Sequence, residues 1–396
     1  MHPLKRILRL AERLLFPIQK AILHISYCVN VTALRFKKMR DIDWVVGVEE
    51  IAALNKYIST SIKNSYSVNL NKNRFYSFQY SFEVKGNNDF IRRVKRLVYA
   101  PILLGRLVVV SKGFIYIWST RFLLSSIDEG EYEYKFIQDK GCKIVLFFVG
   151  SDIRSPKLTK NLGRMHGLEV EADYYEITKK RSLAEDHEKR LQKRVLVSER
   201  FASLIFTAKN DQASYFSKVT SPFIYFYPDG SFYKNKDKFK RNKRVCVVHS
   251  PSNPITKGTQ LVRAAITRLK NEGYDLKYIE LMNVPNEVVL HELRGAHVVL
   301  NEFYGLVPGV FGIEAMANYC ALMTAADEHV ETDLPAGSNQ AWLSTKSYEV
   351  YDNLKYLLDN PEQQVRYADS GYQWALENAA QSASGSKLQK LLDSIC

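Results

Sequence analysis

Asn301 to Met323 reads N-E-F-Y-G-L-V-P-G-V-F-G-I-E-A-M-A-N-Y-C-A-L-M, a glycine-punctuated loop running into a short helix-forming segment and then an apolar one. Gly305, Gly309 and Gly312 mark the loop, Ile313–Ala317 the helix, and Cys320–Thr324 a strand apolar enough to be buried. Glycines ahead of a helix let backbone approach a ligand closely, and the helix's free N–H groups and dipole favour an anion there. Glu314 is expected in the first turn, where a carboxylate suits the dipole and can accept from a pair of sugar hydroxyls. An ordinary loop–helix–strand packing unit has the same pattern, so the stretch alone leaves both readings open.

Outward from this stretch the chain alternates strand and helix. Upstream in the second half, Val245–His249 is a strand, Thr259–Asn271 a helix, Lys277–Met282 a strand, Asn286–Arg294 a helix and Val298–Asn301 a strand. In the first half, strands are expected at Trp44–Val48, Arg74–Phe82, Phe114–Trp118, Lys143–Val149 and Leu204–Thr207, with helices at Glu49–Ile62, Asp89–Leu107 and Thr178–Arg200. Near-continuous apolar strands between helical patterns imply parallel sheets covered on both faces. The fold class is therefore α/β, with two Rossmann-like units whose ligands bind where the strands end. Lys234 to Arg244, K-N-K-D-K-F-K-R-N-K-R, breaks the rhythm and is expected to be a solvated basic linker. The resulting organisation is residues 1–40 as a basic amphipathic segment, 41–233 as a first domain, 234–244 as linker, 245–365 as a second domain, and 366–396 as C-terminal helices able to pack back on the first domain.

A chain of 396 residues is too long for one ordinary core, and two domains are the natural expectation. The net charge of +14 points to an anionic partner: nucleic acid, acidic lipid or a phosphorylated substrate. No motif that reads DNA or RNA is present, and nucleic acid is not the expected partner. Cys28, Cys142, Cys246, Cys320 and Cys396 are odd in number, scattered, and without a CxxC pair, which argues against a disulfide framework and a zinc site and suits a reducing cytosol. Met1 to Arg40 places Ile7, Leu10 and Leu14 at helical spacing with Lys5, Arg6, Arg9 and Arg13 largely elsewhere on the wheel. It contains no uninterrupted apolar stretch long enough to span a bilayer. A helix lying on an anionic membrane surface is built this way, and Arg35, Lys37, Lys38 and Arg40 extend the basic character. The alternative is a helix docked on the domain's own core.

Three loops follow strands of the second half and converge on one place in such a fold. His249-Ser250-Pro251-Ser252-Asn253-Pro254-Ile255-Thr256-Lys257-Gly258-Thr259 sets hydroxyls, a lysine and a glycine before a helix, the chemistry that holds a diphosphate. His249 ends a strand, either donating to that phosphate or serving as a bonded structural histidine. Asn283-Val284-Pro285-Asn286 could offer backbone groups to a base edge, and the third loop carries Glu314.

These three runs, in this order, resemble the donor half of group 1 (family 4-like) retaining glycosyltransferases, whose fold is the twin-Rossmann GT-B arrangement. Val149-Gly150-Ser151-Asp152-Ile153-Arg154 is similar to the H-G-x-D-x-R loop of the same enzymes, with Val149 in place of the histidine. The resemblance implies that Glu314 is the second glutamate of an E-x7-E motif and grips the nucleotide ribose. It puts Lys257 on the donor diphosphate, Gly309, Val310, Phe311 and Gly312 beneath phosphates and sugar, and Asp152 in the cleft on the acceptor side. Ser250, Gly258, Thr259, Asn283 and Val284 complete the implied donor contacts. The first glutamate of the motif falls at Leu306, so either the donor sugar is unusual, Glu302 substitutes from a shifted loop, or activity is weak or lost. What the resemblance implies is a metal-independent, hexosyltransferase-like enzyme with no cofactor. It would use a UDP- or GDP-linked sugar and act on a lipid-linked or surface-polysaccharide acceptor (lipopolysaccharide, capsule or exopolysaccharide). It would sit in the cytoplasm, peripheral on the inner face of the plasma membrane. A non-catalytic partner in a glycan-assembly complex is the alternative.

Overall fold

The computed structural model describes residues 3–34, 42–71, 73, 75–85, 88–124, 126–178, 185–240 and 244–396. In the first sheet, β1 (Ile42–Val48), β2 (Ser65–Asn69), β3 (Phe82–Glu83), β4 (Ser111–Ile117), β5 (Lys143–Phe147), β6 (Leu204–Thr207) and β7 (Ser221–Pro222) stand in the order β3-β2-β1-β4-β5-β6-β7. In the second, β8 (Val245–His249), β9 (Leu276–Glu280), β10 (Val298–Leu300), β11 (Ala321–Thr324) and β12 (Leu343–Ser344) stand in the order β12-β11-β10-β8-β9. Every pairing is parallel. Parallel neighbours need crossover helices, and the apolar strands bury both faces against them. The first unit carries α1 (Pro3–Leu34), α2 (Leu54–Ser61), α3 (Asp89–Val110), α4 (Glu131–Asp139), α5 (Pro156–His166), α6 (Tyr175–Thr178) and α7 (Glu185–Phe201). The second carries α8 (Thr259–Asn271), α9 (Asn286–Gly295), α10 (Gly309–Ala317), α11 (Val350–Asp359) and α12 (Pro361–Asn378). The last helix, α13 (Gln381–Asp393), returns to the first unit and lies on α2, where a Cβ at Gly385 would come within 2.7 Å of Ser61. Its Leu388 and Leu392 are fully buried there, each worth roughly 2 kcal/mol of transfer energy.

In each sheet the strand order reverses next to a central pair, β1 with β4 and β8 with β10, and a crevice opens at their carboxyl ends. Both crevices face one cleft. One substitution-sensitive contact holds the first centre together: Trp44 on β1 lies opposite Gly113 on β4, and a Cβ at 113 would fall 2.4 Å from the indole. Glycine is required at that position by the ring, not by backbone conformation.

One observed strand is not expected from the sequence, and one expected strand is largely absent. β2 is missing from the sequence-based expectation because S-Y-S-V-N carries too few apolar residues, although its last three residues are buried. Residues 75–81 are not a strand; Tyr76 and Phe78 stack on each other at 5.3 Å and Phe78 leans on Tyr57. Their alternation has the period of a strand, yet the rings satisfy one another instead of a sheet.

The N-terminal helix is docked along α3 with Phe16 and Leu23 buried in the first core. Contrary to the sequence-based expectation, its Glu12–Ala33 portion is long and apolar enough to cross a membrane by length and composition, because Gln19, His24, Ser26 and Asn30 lower hydropathy without adding charge. The basic cluster at 35–40 lies outside the described residues. The linker also departs from expectation. Lys238 is buried, its Nζ donating to the carbonyl of Asn318 at 3.0 Å and to Cys320 Sγ at 3.4 Å, so the carbonyl of the residue that caps α10 meets this charge. Upstream, Tyr225 and Tyr227 are already part of the second core.

Candidate functional site

The cleft encloses a cavity of about 550 Å³ lined by both units. Its second-unit wall is built from the loops after β8, β9 and β10. Beyond β8, the turn at Gly258 (φ 76°) caps α8 and brings Lys257 to the wall with Ser250. Beyond β9, Asn283 adopts a left-handed conformation (φ 56°), which asparagine tolerates, and it lines the cavity with Val284. Beyond β10, Asn301 fastens the loop by donating to the carbonyl of Pro308 at 2.7 Å, and α10 begins at Gly309. Gly309, Val310 and Phe311 therefore present the first turn of a nine-residue helix to the cavity.

Helix α10 starts four residues earlier than the sequence pattern places it. Glu314 is thus in its second turn, not its first, and its carboxyl is buried on the cavity wall. Asn286 Nδ2 donates to one oxygen at 2.8 Å, and burial pushes the group up to about 7. The glycines have a different use from the one expected. A Cβ at Gly305 would lie 2.7 Å from the Glu302 carboxylate, and one at Gly312 would lie 2.9 Å from Pro308. They admit a side chain and a loop of this protein.

Glu302 is the residue that spacing misplaces. It sits at the carboxyl end of β10, on the wall, in an ion pair with Lys257. Leu306 instead faces inward, buried, and its amide donates to Asp211 Oδ1 at 2.9 Å. Burial opposes the charge on Lys257, but Glu302 and Glu171 hold it above the ordinary lysine range.

Lys257, Glu314, Ser250, Asn283, Val284, Gly309, Val310 and Phe311 share the cavity wall; His249, Gly258, Thr259, Gly312 and Asp152 lie behind it. His249 is a structural histidine. A carbonyl only accepts, so Nδ1–H donates to Leu300 O at 2.7 Å, and Nε2 accepts the Thr259 hydroxyl at 2.8 Å. Burial drives it down to about 4, leaving it neutral with no hydrogen for a phosphate, and Thr259 is committed to it. Asp152 does not reach the acceptor side either. It is buried, accepts from the Val149 amide at 3.1 Å, and is pushed up to about 6 by burial. Two residues on, Arg154 does line the cavity, ion-paired with Glu171 and Asp211.

The first unit adds Glu50, Asn73, Phe75 and Tyr76, none of which the sequence alone singles out. Glu50 accepts from the amide of Lys56 at 3.0 Å and from Tyr80 OH at 2.8 Å, and burial pushes it up to about 7. Among the described residues, the cavity's formal charges are Arg154 and Lys257 against Glu50, Glu171, Asp211, Glu302 and Glu314. Both of these cations are paired, so an anion that takes either one exchanges with a carboxylate. The units are latched beside the cavity: one Glu331 oxygen accepts the amides of Asn210 at 2.8 Å and Asp211 at 2.6 Å, and the amide of Glu171 donates to Tyr304 O at 3.0 Å.

No family model matches the chain, and no curated protein matches it in sequence. Among solved structures, a sucrose-phosphate synthase from Thermosynechococcus elongatus superposes with a TM-score of 0.56 at 11% identity, over 89% of this chain and 99% of that one. WaaG, a glycosyltransferase involved in lipopolysaccharide biosynthesis, superposes with a TM-score of 0.51 at 10% identity over the same shares. At such identities the likeness is one of fold. The chain has the GT-B architecture: two Rossmann-like units facing one another across a cleft.

Proposed function

We propose that this GT-B protein is a glycosyltransferase that moves a sugar from a UDP- or GDP-linked donor to a lipid-linked or surface-polysaccharide acceptor. The observation that carries the reading is the shared wall: Lys257, the first turn of α10 and the buried Glu314 border one cavity between the units. On this reading the ribose diol donates to the free oxygen of Glu314, and Asn286 holds the other oxygen in place. The diphosphate lies against the α10 N-terminus and takes the place of Glu302 on Lys257. As the bond from anomeric carbon to phosphate oxygen breaks, negative charge gathers on the leaving diphosphate. The Lys257 ammonium and the α10 amides meet that charge without a metal ion. The acceptor enters from the first unit, past Glu50 and Tyr76. Retention of configuration follows from the family resemblance, with the acceptor hydroxyl attacking on the face the phosphate leaves. The same resemblance and the long apolar α1 support a cytoplasmic protein held at a membrane surface.

Titration calorimetry with UDP, GDP and CMP tests the donor site. Glu314→Ala is expected to weaken the preferred nucleotide by at least ~10-fold, about 1.4 kcal/mol; unchanged affinity sinks the assignment. One observation favours a second reading, a non-catalytic glycan-assembly partner: the two cavity cations among the described residues are already neutralised by carboxylates. Transfer or hydrolysis in a panel of nucleotide sugars separates the two, since a non-catalytic partner turns over none of them.

A further inference from the structure

Helices α1 and α3 pack against each other in parallel, and besides an apolar buried side they carry polar groups between them and apolar ones outside. Polar Gln19 and Ser26 are buried between them, donating to the carbonyls of Leu97 at 3.1 Å and Ile102 at 2.7 Å. The Leu97 carbonyl is the one that Pro101 leaves without an amide donor, so Gln19 repairs the break in α3. At the crossing, a Cβ on Gly105 would lie 2.8 Å from Ser26, the small-residue contact by which helices approach closely in lipid. The outer faces carry apolar stripes. Leu14, Ile18, Ile25 and Val29 form a stripe on α1, and Phe90, Val94, Val98 and Ile102 recur every fourth residue on α3, with Phe90 74% exposed. Ten of the 22 exposed large apolar side chains among the described residues belong to these two helices.

We infer that α1 and α3 form a single bilayer-docking face whose two apolar stripes enter the headgroup and acyl boundary of an anionic membrane. Charge selects this occupant. The helices carry five basic residues each, Arg13, Arg93, Lys95 and Arg106 among them exposed, against only Glu12 and Asp89. Position gives the face a use. Because α3 leads directly into β4, its N-terminal end lies at the carboxyl edge of the first sheet, and α1 runs parallel to it. Phe90 and Leu14 therefore stand at the cleft end of the unit, on the acceptor side. The face extends the lipid-linked acceptor reading proposed above and assigns α3, not the N-terminal helix alone, to the membrane.

Flotation of the full chain with vesicles of phosphatidylglycerol and phosphatidylcholine, and of phosphatidylcholine alone, tests the inference. The wild type is expected to float with the anionic vesicles. Ile18→Glu and Val94→Glu, one on each helix, should each weaken partitioning by at least ~10-fold, whereas Val219→Glu, on a fully exposed side chain elsewhere, should not. Thermal melts establish that the variants fold, both substituted side chains being exposed. Flotation of Val94→Glu equal to wild type overturns the inference. So does a wild type that never floats but is a dimer by light scattering and becomes a monomer with Val94→Glu, or one that resists alkaline carbonate extraction because α1 spans the bilayer. Nucleotide calorimetry on the wild type and Val94→Glu keeps the readings apart. Lost flotation with intact nucleotide binding leaves the transferase standing, and flotation without nucleotide binding removes the transferase alone.

Discussion

Glu50, Glu314 and Glu331 are each pushed up to about 7 by burial, and His249 is pushed down to about 4 by the same cause. The signs oppose. Between the ordinary carboxyl range and about 7 the folded chain holds protons on the three glutamates that the unfolded chain has released, so they lose stability as pH rises through that window. The folded chain leaves His249 neutral where the unfolded one protonates it, so stability is also lost as pH falls from the ordinary histidine range toward 4. The two windows overlap and three carboxyls outweigh one imidazole, so urea unfolding should show stability falling from about pH 5 to about 7, with His249 making the fall shallower. His249→Ala should steepen that fall and cost about 2–4 kcal/mol, from two lost hydrogen bonds and a cavity. On the proposed function, donor binding would titrate through the same carboxyls. As Glu314 and Glu50 ionise above about 7, a cavity already rich in carboxylates becomes more negative. The affinity for a nucleotide sugar, whose diphosphate does not titrate near neutrality, should fall several-fold (about 1 kcal/mol) between pH 6 and 8 by calorimetry. Of these residues, Glu314 and Lys257 are legible in the sequence because loop, glycine and helix order announce them. Glu50, Glu171 and Asp211 are not, since nothing local marks a residue that matters only for what the opposite unit brings to it.

At the scale of elements, Thr259–Asn271 and Val245–His249 have the ends that the sequence predicts, because apolar period and flanking breakers agree there. Helix α10 is longer than predicted. Glycine's poor propensity argues for a start at Ile313, but the loop fastened by Asn301 and the packing of Gly312 on Pro308 carry the helix back to Gly309. Helix α3 passes through Pro101 because another helix supplies the missing donor. Gly105→Val should force α1 and α3 apart at Ser26, costing about 1–3 kcal/mol in urea unfolding as an overpacked contact. A protein as stable as wild type would show that the two helices are not in close contact at that crossing.

For the molecule as a whole, the cleft is held by few polar contacts and by a chain that crosses twice. Glu331 of the second unit receives both amides of the Asn210–Asp211 turn, and α13 clasps the first unit. Glu331→Ala leaves those buried amides without an acceptor, a penalty of about 1–3 kcal/mol placed on the closed form. Solution scattering should then report a larger radius of gyration than wild type, with nucleotide affinity lowered by a comparable free energy. An unchanged radius would remove Glu331 from the latch. Sequence by itself determined the two parallel α/β units, the loops that form the second unit's wall of the cavity, and the basic, apolar N-terminal helix, since each follows from the periodicity and chemistry of neighbouring residues. Only the tertiary structure decided that Glu302 rather than position 306 meets Lys257, that Asp152 and His249 are spent inside their own unit, and that α3 shares the outer apolar face. Those outcomes depend on where a loop folds back and which buried partner claims a polar group first, and both are properties of contacts between segments far apart in the chain.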